Sequence, residues 1–273
     1  MISGSPTQHS AAADTDSEIH PTAYVHPNAE IGEAVTIGPF SLIEANTQIG
    51  DRCKIGGHVQ LLNSTSLGED CVVSGGAILG GDPQDLQFDP EKPSRVEIGN
   101  RNTIREHVTI HRGAQEDGVT RVGDDNYLMV NSHLGHDVVL GNKNILANGC
   151  LLGGVVHVGD NNFLGGGSAV HQFVRIGNYV MVKGLSAISK DIPPFVTVHG
   201  HNQISGLNVI GLRRAGFSAS KRGSIKLAFD HMYRSGLNIT QALDEAAELV
   251  LEPEAQRFID FFRAPSAKGV CTR

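Results

Sequence analysis

Tryptophan is absent from this chain of 273 residues, and aromatic residues make up only 5% of it. Large rings supply much of the buried area of an ordinary globular core, so the core here must be assembled from small and branched aliphatic side chains. Cysteine is scarce as well: four residues, none in CxxC spacing, exclude a disulfide framework and a zinc ribbon. Cations are outnumbered, 22 Lys and Arg against 29 Asp and Glu for a net charge of −7, which argues against a nucleic-acid partner bound through its phosphates. No apolar run reaches the roughly 18 residues a membrane span needs. Residues 1–18, MISGSPTQHSAAADTDSE, lack the regions of a secretory signal and are expected to be a flexible tail on a soluble, cytoplasmic protein.

What the chain has instead is glycine, 33 residues of it, and a period of six. Ile19, Val25, Ile31, Ile37, Ile43, Ile49, Ile55, Leu61, Leu67, Val73 and Leu79 recur at every sixth position. Ile98, Ile104 and Ile110 form a second series, and a third runs from Val122 through Leu128, Leu134, Leu140, Leu146, Leu152, Val158, Leu164, Val170, Ile176 and Val182 to Ile188. Six is neither a helical nor a simple strand period. It is the period of a left-handed parallel β-helix, in which each hexapeptide makes one short strand and three close a triangular coil. Glycine often follows the periodic aliphatic, as at Gly32, Gly38, Gly50, Gly159 and Gly177, where a corner is expected to need a conformation that a Cβ resists. The position four after each aliphatic is mostly small (Ala23, Ala29, Val35, Ser41, Thr47 and so on) and reads as a second inward site. Cys53, Cys71 and Cys150 occupy it, so they read as buried small hydrophobes rather than nucleophiles.

The repeat stops at Asp191-Ile192-Pro193-Pro194. The expected organisation is therefore an all-β main domain over 19–194, then a linker and a small C-terminal α-helical domain over 195–273. Ser218 and Thr240 are placed to cap two helices, and Pro253 to open a third.

Register puts distant residues on one edge of the prism. With RGAQEDGVTR treated as one rung plus a six-residue loop, Ile110, Leu134, Leu152 and Val170 begin rungs on the same face, one coil apart. His111, His136, Gly154, and His171 with Gln172 then stack along one edge, and the second interruption, around GGDPQDLQFDPEK, leaves from that edge too. His20, His26, His58, His107 and His157 sit at outward positions and read as solvated. His136 differs, because Asp137 follows it and a carboxylate can fix the tautomer of a general base working near neutral pH. A backbone N–H at Gly154 is placed to meet an oxyanion.

From Ile19 onward the chain resembles the UDP-N-acetylglucosamine O-acyltransferases of the hexapeptide-repeat family, which open lipid A biosynthesis. The resemblance rests on PQDL (Pro83 to Leu86), RVEIG (Arg95 to Gly99), TIHRG (Thr109 to Gly113), HLGHD (His133 to Asp137), AVHQF (Ala169 to Phe173), IPP (Ile192 to Pro194) and GLRRAGFS (Gly211 to Ser218). It implies a homotrimer with active sites between neighbouring prisms, and no metal or organic cofactor. His136, oriented by Asp137, would deprotonate the sugar 3-hydroxyl, which attacks a 3-hydroxyacyl thioester on acyl carrier protein, while the Gly154 N–H stabilises the tetrahedral intermediate. Asp85, Gln87, His111, His133, His171 and Gln172 would hold the sugar and acyl groups, and Asn208 and Arg214 the nucleotide end. Gly184 falls where the family sets acyl length, and its missing side chain suggests an open groove and a long chain, although Lys183 stands beside it. Arg213, Arg214, Lys221 and Arg222 form either a solvated face or a dock for an acidic carrier protein.

The chain departs from the family pattern at Gln87, Val155 and Ala215, where lysine, histidine and a second arginine are usual. Lost cations weaken charge-assisted contacts to phosphate or carrier, and these departures leave open a related UDP-amino sugar as acceptor, with an amide product. They also prompt a catalytically inactive scaffold as an alternative. A zinc hydratase on the same prism, using His111, His133 and His136 across a trimer interface, is a further one, in which Asp137, the PQDL loop and the helical region would have no role.

Overall fold

A computed structural model describes residues 16–272; residues 1–15, which hold most of the expected tail, and residue 273 lie outside the described residues. Each hexapeptide makes a short strand and a corner, and the chain returns to the same face after 18 residues: Glu18 pairs with Thr36, Tyr24 with Leu42 and Glu30 with Gln48, all in parallel. The strands stack into sheets of 11, nine and eight. These are the first, second and third faces of a left-handed triangular prism, in the order in which the chain meets them.

Inside, the periodic aliphatics from Ile37 to Ile188 are at most 4% exposed. Ile19, on the first coil, is 43% exposed because among the described residues no coil lies above it. The second inward position is buried as expected, and Cys53, Cys71 and Cys150 sit there as free thiols. Burial in this apolar interior pushes the Cys150 thiol up to about 12, a poor nucleophile at neutral pH.

The corners work differently from the expectation. The left-handed residue is, at most corners, the third after the aliphatic and not the glycine next to it: Ala34, Phe40, Asn46 and Arg52 have φ of 54°, 59°, 55° and 58°. The glycines answer a second demand, close stacking. A Cβ on Gly32 would lie 2.4 Å from Asp51 Oδ1, and one on Gly50 would lie 2.7 Å from the carbonyl carbon of Gly68 in the next coil.

The corner between the third and first faces is filled by a buried asparagine ladder. Asn102 Oδ1 accepts the Asn126 N–H at 2.9 Å, Asn126 Oδ1 the Asn144 N–H at 2.8 Å, Asn144 Oδ1 the Asn162 N–H at 2.9 Å, and Asn162 Oδ1 the Val180 N–H at 2.7 Å. Each side chain thus satisfies a backbone donor of the following coil that water cannot reach.

The expected linker after residue 194 contains a strand pair. Ile192 still pairs with Ile176, Val196–His199 joins the first face in parallel, and Gln203–Leu207 returns antiparallel beside it, because a last coil left bare would expose its hydrogen-bonding edge. Four helices follow: α1 (Val209–Arg214), α2 (Ala219–Arg234), α3 (Ile239–Glu245) and α4 (Pro253–Arg263). Ser218 caps α2 as expected. The cap of α3 is Asn238, which forms a capping box with Gln241, whereas Thr240 lies one residue inside the helix; the amide side chain reaches the third N–H from that earlier position. Phe229 and Phe258 form the helical core, with ring centroids 6.2 Å apart. The helices are tied to the prism by the Arg175 guanidinium, which bonds the buried Asp191 at 2.7 Å and lies 4.7 Å from the Phe261 ring. Among the described residues no helix is long and apolar enough to cross a membrane.

Asn144→Ala removes an acceptor that serves both the N–H and the side-chain amide of Asn162. Two stranded donors in a buried corner are expected to lower the unfolding free energy by about 2 kcal/mol, read from the urea midpoint; an unshifted midpoint would show that the ladder does not stabilise the fold.

Candidate active site

Strand register brings the expected edge residues together. Thr109 pairs with His133, His133 with Leu151 and Leu151 with Ala169, so the turns that follow stack His136, Gly154 and Gln172 along the edge between the second and third faces. His111 ends its strand opposite Gly81 and is 9% exposed.

The centre of the edge is the His136 and Asp137 pair. Asp137 has a φ of 58°, a left-handed corner that aspartate tolerates better than most residues, and its carboxylate turns back onto the ring of its predecessor. Oδ2 lies 2.9 Å from His136 Nδ1 and also accepts the Ala114 N–H at 3.0 Å, while the Asp137 N–H donates to Thr120 Oγ1 at 2.8 Å. An ionised carboxylate has only acceptors, so Nδ1 carries the proton and Nε2 keeps the lone pair. That nitrogen lies over the next coil: a Cβ on Gly154 would be 2.3 Å from it. Beyond Gly154 stands Val155 with φ 59°, an unusual conformation for a β-branched residue, held by donation of its N–H to the His136 carbonyl at 2.9 Å.

His111 and His133 form the wall above, with rings edge to face at 4.7 Å, and the Thr109 hydroxyl meets His133 Nδ1 at 2.7 Å. Burial, with His111 nearby, depresses His133 to about 4. His111 is lowered by burial and by the neighbouring His136. Both are therefore neutral hydrogen-bonding groups at pH 7, not cations.

The remaining expected residues do not join this group within one chain. Asp85 and Gln87 are exposed on the loop over 82–93, where the Asp85 carboxylate accepts the Gln87 N–H at 2.9 Å. His171 and Gln172 are exposed one coil below Gly154, with His171 Nδ1 3.1 Å from the Gln172 carbonyl. Gly184 sits on the edge between the first and second faces, beside the exposed Leu185. Asn208 and Arg214 line a groove of about 960 Å³ on the first face, with Phe163, Tyr179 and Met181 as its apolar floor. The first face is the side of the prism opposite the His136 edge. The Asn208 side chain is already used there: it caps α1 through the Gly211 N–H at 3.1 Å and donates to the Tyr179 carbonyl at 2.9 Å.

Of the four clustered cations, Lys221 is paired with Glu254 at 2.6 Å and Arg222 donates to the Phe217 carbonyl. Arg213 and Arg214 are exposed and make no ion pair among the described residues. Sequence reasoning missed Ala114 and Thr120, both contributed by or next to the interruption after His111; the period is lost there, so register could not place them. Among the described residues no group of three or more His, Cys, Asp and Glu is arranged to hold a metal.

Comparison with known proteins gives consistent matches. A family model described as Udp N-acetylglucosamine O-acyltransferase, domain 2, matches residues 191–271. The chain is similar to the UDP-N-acetylglucosamine O-acyltransferase of Moraxella catarrhalis, at 39% identity over 93% of this chain and 99% of that one, with a TM-score of 0.88. The corresponding UDP-N-acetylglucosamine acyltransferase of Bacteroides fragilis is 41% identical over 92% of this chain and 98% of that one, with a TM-score of 0.87. That of Francisella novicida is 34% identical over 93% and 94%, with a TM-score of 0.90.

Two outcomes follow from this geometry. Gly154→Ala is expected to leave the fold intact and displace the His136 ring, seen as a shift of its imidazole resonances by NMR; unchanged resonances would contradict the contact. For His133, the folded value of about 4 lies below the ordinary 6.5, so protonation favours the unfolded chain. Its stabilisation is present above pH 6.5 and declines as pH falls toward 4, and His133→Gln is expected to flatten the dependence of the denaturation midpoint over that window.

Proposed function

Because this chain belongs to the UDP-N-acetylglucosamine O-acyltransferase family, we propose that it transfers a 3-hydroxyacyl group from acyl carrier protein to the 3-hydroxyl of UDP-N-acetylglucosamine, with His136 as general base. The observation that carries this reading is the His136 and Asp137 pair, one hydrogen bond of 2.9 Å whose far nitrogen faces the Gly154 backbone. His136 Nε2 takes the proton of the sugar hydroxyl as its oxygen bonds to the thioester carbon. The carbonyl oxygen gains the negative charge and is met by the Gly154 N–H. Collapse expels the thiolate of the carrier, which recovers the proton from the imidazolium, so an ester and a free thiol leave. Asp137 holds the ring and stabilises the imidazolium, as an orienting carboxylate does in other base-catalysed acyl transfers.

The placement of the other residues supports a homotrimer. Asn208 and Arg214 line the face opposite the His136 edge, so a nucleotide gripped by both groups spans two prisms. Asp85, Gln87, His111, His133, His171 and Gln172 then meet the sugar and thioester from the prisms on either side of the shared cleft, Gly184 sits beside the acyl tail, and the exposed Arg213 and Arg214 face the acidic carrier. Such an enzyme takes the first step of lipid A biosynthesis in the cytoplasm. An acceptor with a 3-amino group, the alternative that the departures at Gln87, Val155 and Ala215 leave open, uses the same base and yields an amide. The family assignment takes the place of the zinc hydratase reading.

The test is incubation with UDP-N-acetylglucosamine, or its 3-amino analogue, and a panel of 3-hydroxyacyl carrier proteins, followed by mass analysis of the nucleotide. Acylated nucleotide is expected, and His136→Ala is expected to lower kcat by at least about a hundredfold, the lower range for general-base catalysis. Undiminished turnover by that variant would remove His136 from the mechanism.

A further inference from the structure

Arg112 follows His111 directly, and its side chain is only 16% exposed. Its guanidinium is the hub around which the loop over 82–93 is wrapped. Nε bonds Asp82 Oδ1 at 2.9 Å, at the start of the loop. Nη2 donates to the Pro90 carbonyl at 3.0 Å and Nη1 to the Lys92 carbonyl at 3.2 Å, near its end. The Phe88 ring, in between, lies 4.9 Å from the guanidinium carbon. Apart from these, the loop is held by its own turns at Asp85 and Asp89 and by the Asp117 N–H on the Pro93 carbonyl. Its tip is open: Leu86 is fully exposed.

The same residue opens the second interruption, over 112–117, whose Ala114 N–H donates to Asp137 Oδ2. One residue therefore anchors, through its side chain, the loop that carries Asp85 and begins, through its backbone, the segment whose Ala114 N–H meets Asp137. We propose that Arg112 is a positioning residue for the acceptor sugar: it fixes the loop that carries Asp85 where that loop leaves the edge on which His111 and His136 stand. The proposal rests on the assignment of Asp85 to the acceptor. A planar fork with five donors meets acceptors at both ends of the loop at once, which a lysine ammonium cannot do in the same geometry.

The test is a double-mutant cycle between Arg112→Met and Asp85→Ala. Arg112→Met is expected to raise KM for UDP-N-acetylglucosamine about tenfold, the scale of one lost charge-assisted contact, with KM for the acyl carrier protein unchanged, and Arg112→Lys is expected to recover part of the loss. In the Asp85→Ala background the same change is expected to have little further effect on that KM, and hydrogen exchange is expected to quicken at the amides of residues 84–89. Full additivity of the two substitutions, or a fall in kcat with KM for the sugar unmoved, overturns the positioning role. Calorimetry with UDP-N-acetylglucosamine separates the two readings. A wild-type protein that does not bind it sinks the acceptor assignment, whereas wild-type binding that Arg112→Met leaves intact sinks the role of Arg112 alone.

Discussion

The structure depends on one constraint: every coil must lie directly on the next at the spacing of a backbone hydrogen bond, about 4.8 Å. The 18-residue return that meets it leaves little freedom elsewhere. Inward positions must hold aliphatic or small side chains because three sheets converge on a narrow interior. Glycine stands where the following coil presses on the corner, and one residue at most corners must accept a left-handed backbone. The last requirement is unfavourable for residues with a Cβ, by roughly 1–2 kcal/mol each. It is offset by the collective burial of the aliphatic stack and by side-chain ladders, such as the asparagines, that satisfy the corner donors.

The candidate site turns this constraint to a chemical use. A left-handed corner makes the Asp137 carboxylate fold back on His136, a geometry that an extended segment would not provide. A stacked corner puts the Gly154 backbone directly beneath the ring. The chain leaves the prism twice on the same edge; one excursion brings the Ala114 N–H to Asp137, and the other carries Asp85 and Gln87 on an exposed loop. Rigid stacked coils thus hold the His136 and Asp137 pair, and a tethered loop supports it.

How much of this was legible in the sequence follows from the same division. The period of six exposed the prism, its inward residues and the alignment of His111, His136, Gly154 and Gln172, because register is additive along an unbroken repeat. The corner conformation was misassigned to the glycines, since composition shows which residues are small but not whether backbone torsion or a neighbouring coil demands it. The pair Val196–His199 and Gln203–Leu207 was read as a linker because it lies past the last hexapeptide and carries no period to count. The Arg112 hub was invisible for a related reason: its partners at Asp82, Pro90 and Lys92 lie in an aperiodic loop, and three of its contacts are to backbone or ring rather than to a complementary charge. The cap of α3 at Asn238 was misplaced by two residues because Thr240 is also a good capping residue.

The stacked corner also governs how such a chain can change its length. One residue added inside a rung would turn every later core aliphatic toward solvent, since the count of six fixes which side chains point inward. Gains and losses are accommodated only as whole coils or as segments ejected from a corner. The ejected segments here, at 82–93 and 112–117, emerge where His111 and His136 stand, so the part of the molecule most free to vary in length is also the part that borders the candidate site. The scaffold concentrates its tolerance for changes in length at that one edge.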